Sequence, residues 1–230
     1  ALIEIGASAG LNLLVDRYRY RFGDLRVGDG PSGAELVCQP IGDGTAEVIE
    51  RSTMPLISHR GGLDRSPVDP ADPVQARWLR ACIWPEQPER LARLDAALAI
   101  AADDATDRPW PLVTAADAVD GVVPLIEACP ADATVVLISS WLQTYLARDR
   151  RAGLRDMIDG AGATRDLVWV STEAPTVVDW MEHDQWGPTH DRSVPSLVGA
   201  RTWRDGTLHT ALVARCHPHL AWLDWRGFGW

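Results

Sequence analysis

The stretch Leu2-Ile3-Glu4-Ile5-Gly6-Ala7-Ser8-Ala9-Gly10-Leu11-Asn12 is a short apolar run carrying one carboxylate, which passes through small residues into a helical pattern. It reads as strand, tight turn and helix. Gly6 and Gly10 let the backbone bend sharply and approach a ligand, and the unpaired amides of a helix starting near Gly10 attract an anionic or electron-rich group. Binding of a small molecule is the first expectation.

Spacing separates the ligand classes that use such a turn. A dinucleotide fingerprint asks for Gly-x-Gly-x-x-Gly, but its second and third glycine positions are Ser8 and Leu11 here, which serves close approach of a pyrophosphate poorly. Gly6-x-Ser8-x-Gly10 also has the letters of the nucleophile elbow of serine hydrolases, with Ser8 as the attacking group. That elbow follows earlier strands and an oxyanion-hole loop, whereas no strand precedes Leu2 in this sequence.

Working outward, 230 residues with 46% hydrophobic content suffice for a substantial core. One domain over residues 1–230 is expected. No run of about 18 apolar residues exists to span a membrane, and the apolar start lacks the basic region of a secretory signal, so the expected compartment is the cytoplasm. The absence of an initiator Met and the start inside a strand suggest that an N-terminal part is missing. Cys38, Cys82, Cys129 and Cys216 form no Cys-x-x-Cys pair and read as small apolar residues rather than a zinc ribbon or redox motif. A formal charge of -10 disfavours nucleic acid as partner and leaves a small-molecule substrate. All 22 basic residues are Arg, which excludes a Schiff-base or P-loop lysine.

Apolar periodicity predicts a first helix from Leu11 to about Arg17 or Tyr20, then alternation over Tyr18 to Phe22. Leu25 to Val27 and Glu35 to Pro40 extend this into a small antiparallel insertion over about residues 19–53. Helices are predicted from Pro73 to Trp84, with Val74, Trp78 and Cys82 on one face, and from Pro88 to Asp103-Asp104. Trp110 to Thr114 reads as a strand, Val119 to Cys129 as a helix, Thr134 to Ser139 as a strand and Leu142 to Ile158 as a helix ended by Gly160. Asp166 to Ser171 is a further strand, and Leu208 to Arg215 with His219 to Trp225 form an antiparallel hairpin. Strand alternating with helix builds a parallel sheet, so the fold class is α/β.

Glu4, two residues before Gly6, gives the opening motif its resemblance to that of class I S-adenosylmethionine-dependent methyltransferases. The resemblance implies a Rossmann-like, seven-stranded sheet, mostly parallel and closed by the terminal antiparallel hairpin, with S-adenosylmethionine as cofactor. It implies that Glu4 faces the amino group of the methionine part and that the turn of Gly6, Ser8 and Gly10 passes beneath the cofactor. Gly62-Leu63-Asp64-Arg65-Ser66-Pro67 resembles the end of the second strand in that family, where a carboxylate takes both ribose hydroxyls, and Asp64 is that carboxylate. Val113-Thr114-Ala115-Ala116-Asp117-Ala118 resembles the end of the third, where Asp117 would accept from the adenine amino group, although Ala116 replaces the usual glycine. Asp64 and Asp117 suit equally the capping of a following turn or helix, and both roles stay open. The long interval between Gly10 and Asp64 departs from the family and requires the insertion. As a whole the chain also resembles an uncharacterised bacterial family of unknown function sharing Gly62-Leu63-Asp64-x-x-Pro67-x-Asp69, Arg77-Trp78-Leu79-Arg80-Ala81 and a late His217-Pro218-His219.

Acceptor-side residues are harder to name, because methyl transfer needs mainly alignment and desolvation. Ser139-Ser140-Trp141 ends the fourth strand without the Asn-Pro-Pro-Tyr signature of nucleic-acid amino methylation. Trp141 is a candidate to stack on a substrate, against a place in the core. Glu173, after the fifth strand, is a candidate base, against a solvated loop carboxylate. Glu182, His183, Asp184, His190 and Asp191 carry metal-ligand chemistry in a loop without helical His spacing, and no metal is expected. The functional expectation is a small-molecule methyltransferase; the alternatives are a serine hydrolase using Ser8 and a non-catalytic Rossmann-like binding protein.

Overall fold

The opening run forms β1 (Leu2–Ile5), every residue of which is buried. In this computed structural model, which describes residues 1–28, 33–107, 112–180 and 194–227, β1 is the centre of a parallel set. Numbering strands in chain order, β1 pairs with β5 (Arg60–Asp64) on one side, Ile5 opposite Leu63, and with β7 (Val135–Ser140) on the other, Ile5 opposite Ser139. β6 (Val113–Ala115) lies beyond β5 and β8 (Leu167–Glu173) beyond β7, both parallel. The carboxyl ends of all five therefore share one edge of the sheet, where ligands collect in open parallel sheets.

Alternation along β1 sends Ile3 and Ile5 to one face and Leu2 and Glu4 to the other. Ile3 and Ile5 join a core built with Val122 and Ile126 of α4 (Ala118–Glu127) and Leu154 and Ile158 of α5 (Arg148–Gly162). On the second face Leu2 packs with Ala7, Leu13 and Val113. Arg60 fastens the chain after β1 to this face, donating to the Leu13 carbonyl and pairing with Asp16 at 2.6 Å.

Past β8 the sheet turns antiparallel through β9 (Ser196–Arg204), β10 (Thr207–Cys216) and β11 (Trp222–Trp225). The predicted terminal hairpin is the β10–β11 pair. The residues after the opening turn supply β2 (Arg19–Phe22), β3 (Leu25–Val27), β4 (Glu35–Pro40) and α1 (Asp43–Arg51). They do not form a wholly antiparallel insertion. The β2–β3 hairpin returns the chain once, after which β4 crosses to the other side of β2, runs parallel to it, and pairs with β11 through Gln39 and Pro40. The sheet accordingly has eleven strands in the order β3-β2-β4-β11-β10-β9-β8-β7-β1-β5-β6, not the seven expected. Leu14, Tyr18, Ala34 and Ala101, with Tyr20 and Leu36 against them, tie this added edge back to the chain after β1.

Three helical expectations change. Leu11–Arg17 is a 3-10 segment with a kink at Leu14, entered from Gly10 at φ 69° with no side-chain cap. The expected helix from Leu142 is a short 3-10 turn, Gln143–Tyr145, and then α5, which runs to Gly162 rather than ending at Gly160. In α2 (Pro73–Ala81), capped by Asp72 on the Val74 and Gln75 amides, the Val74 and Trp78 face is open to solvent at 67% each, and Ala76 is what packs inward. α3 spans Pro88–Asp107. Among the described residues no helix is long and apolar enough to cross a membrane.

Candidate functional site

The order β6-β5-β1-β7-β8 reverses direction of chain progress at β1: the next strand in the parallel set lies on one side and the later ones on the other. The crevice outside the carboxyl ends of β1 and β7 is where such a reversal leaves room for a ligand. A cavity of about 290 Å³ lies there, lined on one side by Gly6, Asp64 and Asp117 and on the other by Ser140, Trp141 and Leu142. Of the residues singled out in the sequence, Gly6, Asp64, Asp117 and Trp141 thus converge, from the carboxyl ends of four different strands.

The opening turn is shaped from beneath. The Gly6 and Ala7 amides both donate to the Leu63 carbonyl, at 2.8 and 3.0 Å, and the Gly10 amide returns to Ala7 at 2.7 Å. Gly6, Ser8 and Gly10 have φ of 75, 51 and 69°, so the turn needs the left-handed region three times within five residues. Close packing also demands glycine at two positions. A Cβ on Gly62 would stand 2.9 Å from Ala7 Cβ, and one on Gly10 would stand 2.9 Å from Val113 Cγ2. Gly10 serves packing and stands away from the cavity walls.

Asp64 both lines the cavity and holds the turn. Its Oδ2 accepts from the Ser8 amide and its Oδ1 from the Ser66 amide, each at 2.8 Å. An ionised carboxylate offers about four acceptor sites, so each oxygen retains capacity for a donor from the cavity. Asp117 caps α4 through the Val119 amide at 2.8 Å and pairs with Arg150, a partner that no sequence signal pointed to. Capping is realised at both carboxylates, and so is exposure to the cavity.

Glu4 and Glu173 lie beneath the crevice instead. Glu4 is 2% exposed, accepts from Asn12 Nδ2 at 2.7 Å and leaves Oε2 without a partner. Burial pushes its carboxyl up to about 8, against the Asn12 hydrogen bond and with help from the Asp64 charge. Glu173, the last residue of β8, has no exposed surface, so it is no solvated loop carboxylate. Its Oε1 accepts from the Gln143 amide at 2.9 Å. Burial raises its pKa, while the amides of Gln143, Leu142 and Thr144 and the Arg151 charge pull it back. The 142–145 turn is therefore seated on a buried carboxyl. Gln143 Nε2 donates to Ser171 Oγ at 2.9 Å, Ser139 Oγ bonds the same oxygen at 3.2 Å, and Trp169 Nε1 donates to Ser139 at 3.0 Å.

Trp141 opens this turn with φ 54° and its amide on the Thr172 carbonyl at 2.8 Å. It is half-buried on the cavity wall, not in the core. Among the described non-glycine residues, positive φ occurs also at Asp205 and Leu220, which make hairpin turns, and at Ser8. Trp141 instead lines the crevice, while Ser8 does not line it and reaches it only through its amide on Asp64; strained backbone held in place at a cleft is a recurrent mark of a site. No histidine among the described residues bonds Ser8. His217 and His219 follow β10, four strands along the sheet from β1 and on the order of 19 Å away at strand spacing. His183 and His190, with the rest of the candidate metal cluster (Glu182, Asp184, Asp191), lie outside the described residues.

Residues 1–225 match the model of a family described as an uncharacterized protein conserved in bacteria, DUF2332, and the chain belongs to that family. No curated protein and no solved structure matches it.

Proposed function

We propose that this chain binds S-adenosylmethionine in the crevice between β1 and β7 and uses it to methylate a small molecule. The observation that carries the reading is the convergence of Gly6, Asp64, Asp117 and Trp141 on one cavity at the point where the strand order reverses. Support also comes from the order of the parallel strands, which in chain sequence is third, second, first, fourth, fifth, with an antiparallel strand next to the fifth. The resemblance implies five parallel strands closed by a terminal antiparallel hairpin; here the antiparallel strand beside the fifth is β9, and the β10–β11 hairpin and the edge formed by β2, β3 and β4 extend the sheet beyond it.

The residues present fit such a cofactor in most respects. A cavity of about 290 Å³ is near the lower end of small-ligand sites. Asp64 has acceptor capacity suited to two hydroxyls and Asp117 to an amino group, while Leu63, Leu142 and Leu146 supply apolar wall. Glu4 does not fit its expected part, because it lies under the turn and bonds Asn12 rather than lining the cavity. When bound, S-adenosylmethionine supplies an electrophilic sulfonium methyl. The chain's contribution is then to orient it with Asp64 and Asp117, to bring backbone close at Gly6, and to exclude water with Trp141 and Leu142. The hydrolase reading would need a general base at Ser8, which no described histidine supplies.

Isothermal titration of the purified protein with S-adenosylmethionine and S-adenosylhomocysteine tests the proposal. Saturable binding of both, weakened in Asp64→Ala, is expected. Absence of binding by a folded protein overturns it, and stoichiometric fluorophosphonate labelling at Ser8 would favour the hydrolase instead. Binding without turnover of any acceptor would leave the protein a binding module.

A further inference from the structure

Beside the crevice, and separated from it only by the 142–146 segment, a second cavity of about 620 Å³ opens at the carboxyl ends of β7 and β8. Leu142, Tyr145 and Leu146 face the crevice, whereas Gln143 faces this second space. Its other walls are the start of α5, which contributes Arg148, Arg151 and Arg155, and the 175–180 loop, which contributes Val177 and Trp180. Spacings of three and four place the three guanidinium groups on one face of α5.

Their commitments differ. Arg155 is answered by Asp179, at 3.0 Å. Arg151 is braced by donating Nε to the Leu146 carbonyl at 3.0 Å and Nη1 to the Val177 carbonyl at 2.9 Å, which fixes its plane and leaves Nη2 uncommitted. Arg148 has no side-chain hydrogen bond or ion pair among the described residues. A chain with a formal charge of -10 thus gathers three cations around one cavity, of which the described residues answer only part. A braced guanidinium beside a free one, over an apolar wall that includes an indole, suits an anionic headgroup on a part-apolar body. Guanidinium forks bind carboxylate and phosphate more strongly than neutral hydrogen bonds do.

We propose that this cavity binds the anionic headgroup, carboxylate or phosphate monoester, of a small organic acid. Its position next to the crevice makes that acid the methyl acceptor, an assignment which rests on the methyltransferase reading, whereas the anion site itself does not. Phenylacetate and phenyl phosphate are the probes, titrated calorimetrically at constant ionic strength into wild type, Arg148→Ala and a control, Arg204→Ala, at the exposed end of β9. Binding to wild type and to the control, weakened by about tenfold or more in Arg148→Ala, is expected from the loss of one charge-assisted contact. The tighter of the two probes identifies the headgroup. Failure of both probes to bind, or binding equally strong in Arg148→Ala, overturns the inference. S-adenosylmethionine titrated into the same samples keeps the readings apart: anions without cofactor would sink the methyltransferase proposal alone, and cofactor without anions would sink this one alone.

Discussion

Replacing Glu4 by glutamine should alter the pH dependence of stability. Glu4 is 2% exposed in β1, and burial is the main reason its carboxyl is displaced from 4.5 to about 8. The unfolded chain releases the proton near 4.5 whereas the folded chain keeps it to about 8, so between those values the folded state binds one proton more. Stability from this group is therefore full at low pH, declines as the pH rises through that window, and levels off above it. The slope is about 1.4 kcal/mol per pH unit, so roughly 3 kcal/mol should be lost between about pH 5.5 and about pH 7.5. Glu4→Gln keeps an oxygen for Asn12 and cannot ionise, so it lacks this slope. Urea unfolding of both proteins across the window gives the comparison. The variant should gain on the wild type by roughly 3 kcal/mol from the acid to the alkaline end. Parallel profiles would refute the argument, since they would mean that Glu4 is already ionised in the folded protein.

Gly6→Val forces a β-branched residue to φ 75° and puts its Cβ 3.1 Å from Leu142 Cδ1, so calorimetry should find S-adenosylmethionine affinity lost in a protein that still folds. Asp64→Ala frees the Ser8 and Ser66 amides and should cost about 1 to 3 kcal/mol in unfolding free energy, together with a comparable loss of cofactor affinity; a stability loss alone would leave Asp64 a cap. Asp117→Ala should cost about 1 kcal/mol through its cap and weaken cofactor binding too, measured in the same two assays. Gly162→Ala would set a Cβ 2.3 Å from Trp203, and thermal unfolding should show a loss of about 1 to 3 kcal/mol; an unchanged midpoint would mean that α5 does not end against β9.

The parallel half of the fold was legible because its signals are local. β1, β6, β7 and β8 each pair an apolar run with small residues or a carboxylate, and the helices between them carry their own periodicity, whereas β5, with Leu63 its one large apolar residue, is legible only through the resemblance of Gly62-Leu63-Asp64 to a strand end. β9 was missed because Gly199 and Arg201 interrupt its apolar run. Arg201 is nonetheless buried, on Asp159 at 2.8 Å and over the rings of Trp180 and its strand neighbour Trp203, and both Asp159 and Trp180 come from other elements of the chain. The direction of β4 was equally invisible, since pairing with β11 depends on residues near Trp222. Helical spacing named the face of Val74 and Trp78 correctly but not its surroundings, which only the packing of α2 on α3 decides.

At the candidate site, positions were legible and partners were not. A carboxylate following a strand can be read as lying at the carboxyl edge, and Asp64 and Asp117 do lie there. What each carboxylate touches is set by chain segments far away: the Ser8 amide for Asp64, Arg150 for Asp117, the Gln143 amide for Glu173. Capping and ligand binding, opposed as readings of the sequence, are compatible in three dimensions because a carboxylate has more acceptor sites than one or two amides occupy. At Asp64 they are also coupled. The carboxylate that would receive a ligand holds the Ser8 amide, and through it the left-handed turn whose Gly6 lines the same side of the cavity. A ligand drawing on Asp64 therefore acts on an oxygen already aligned by the backbone, and Arg148, Arg151 and Arg155 of α5 stand across the 142–146 segment from it.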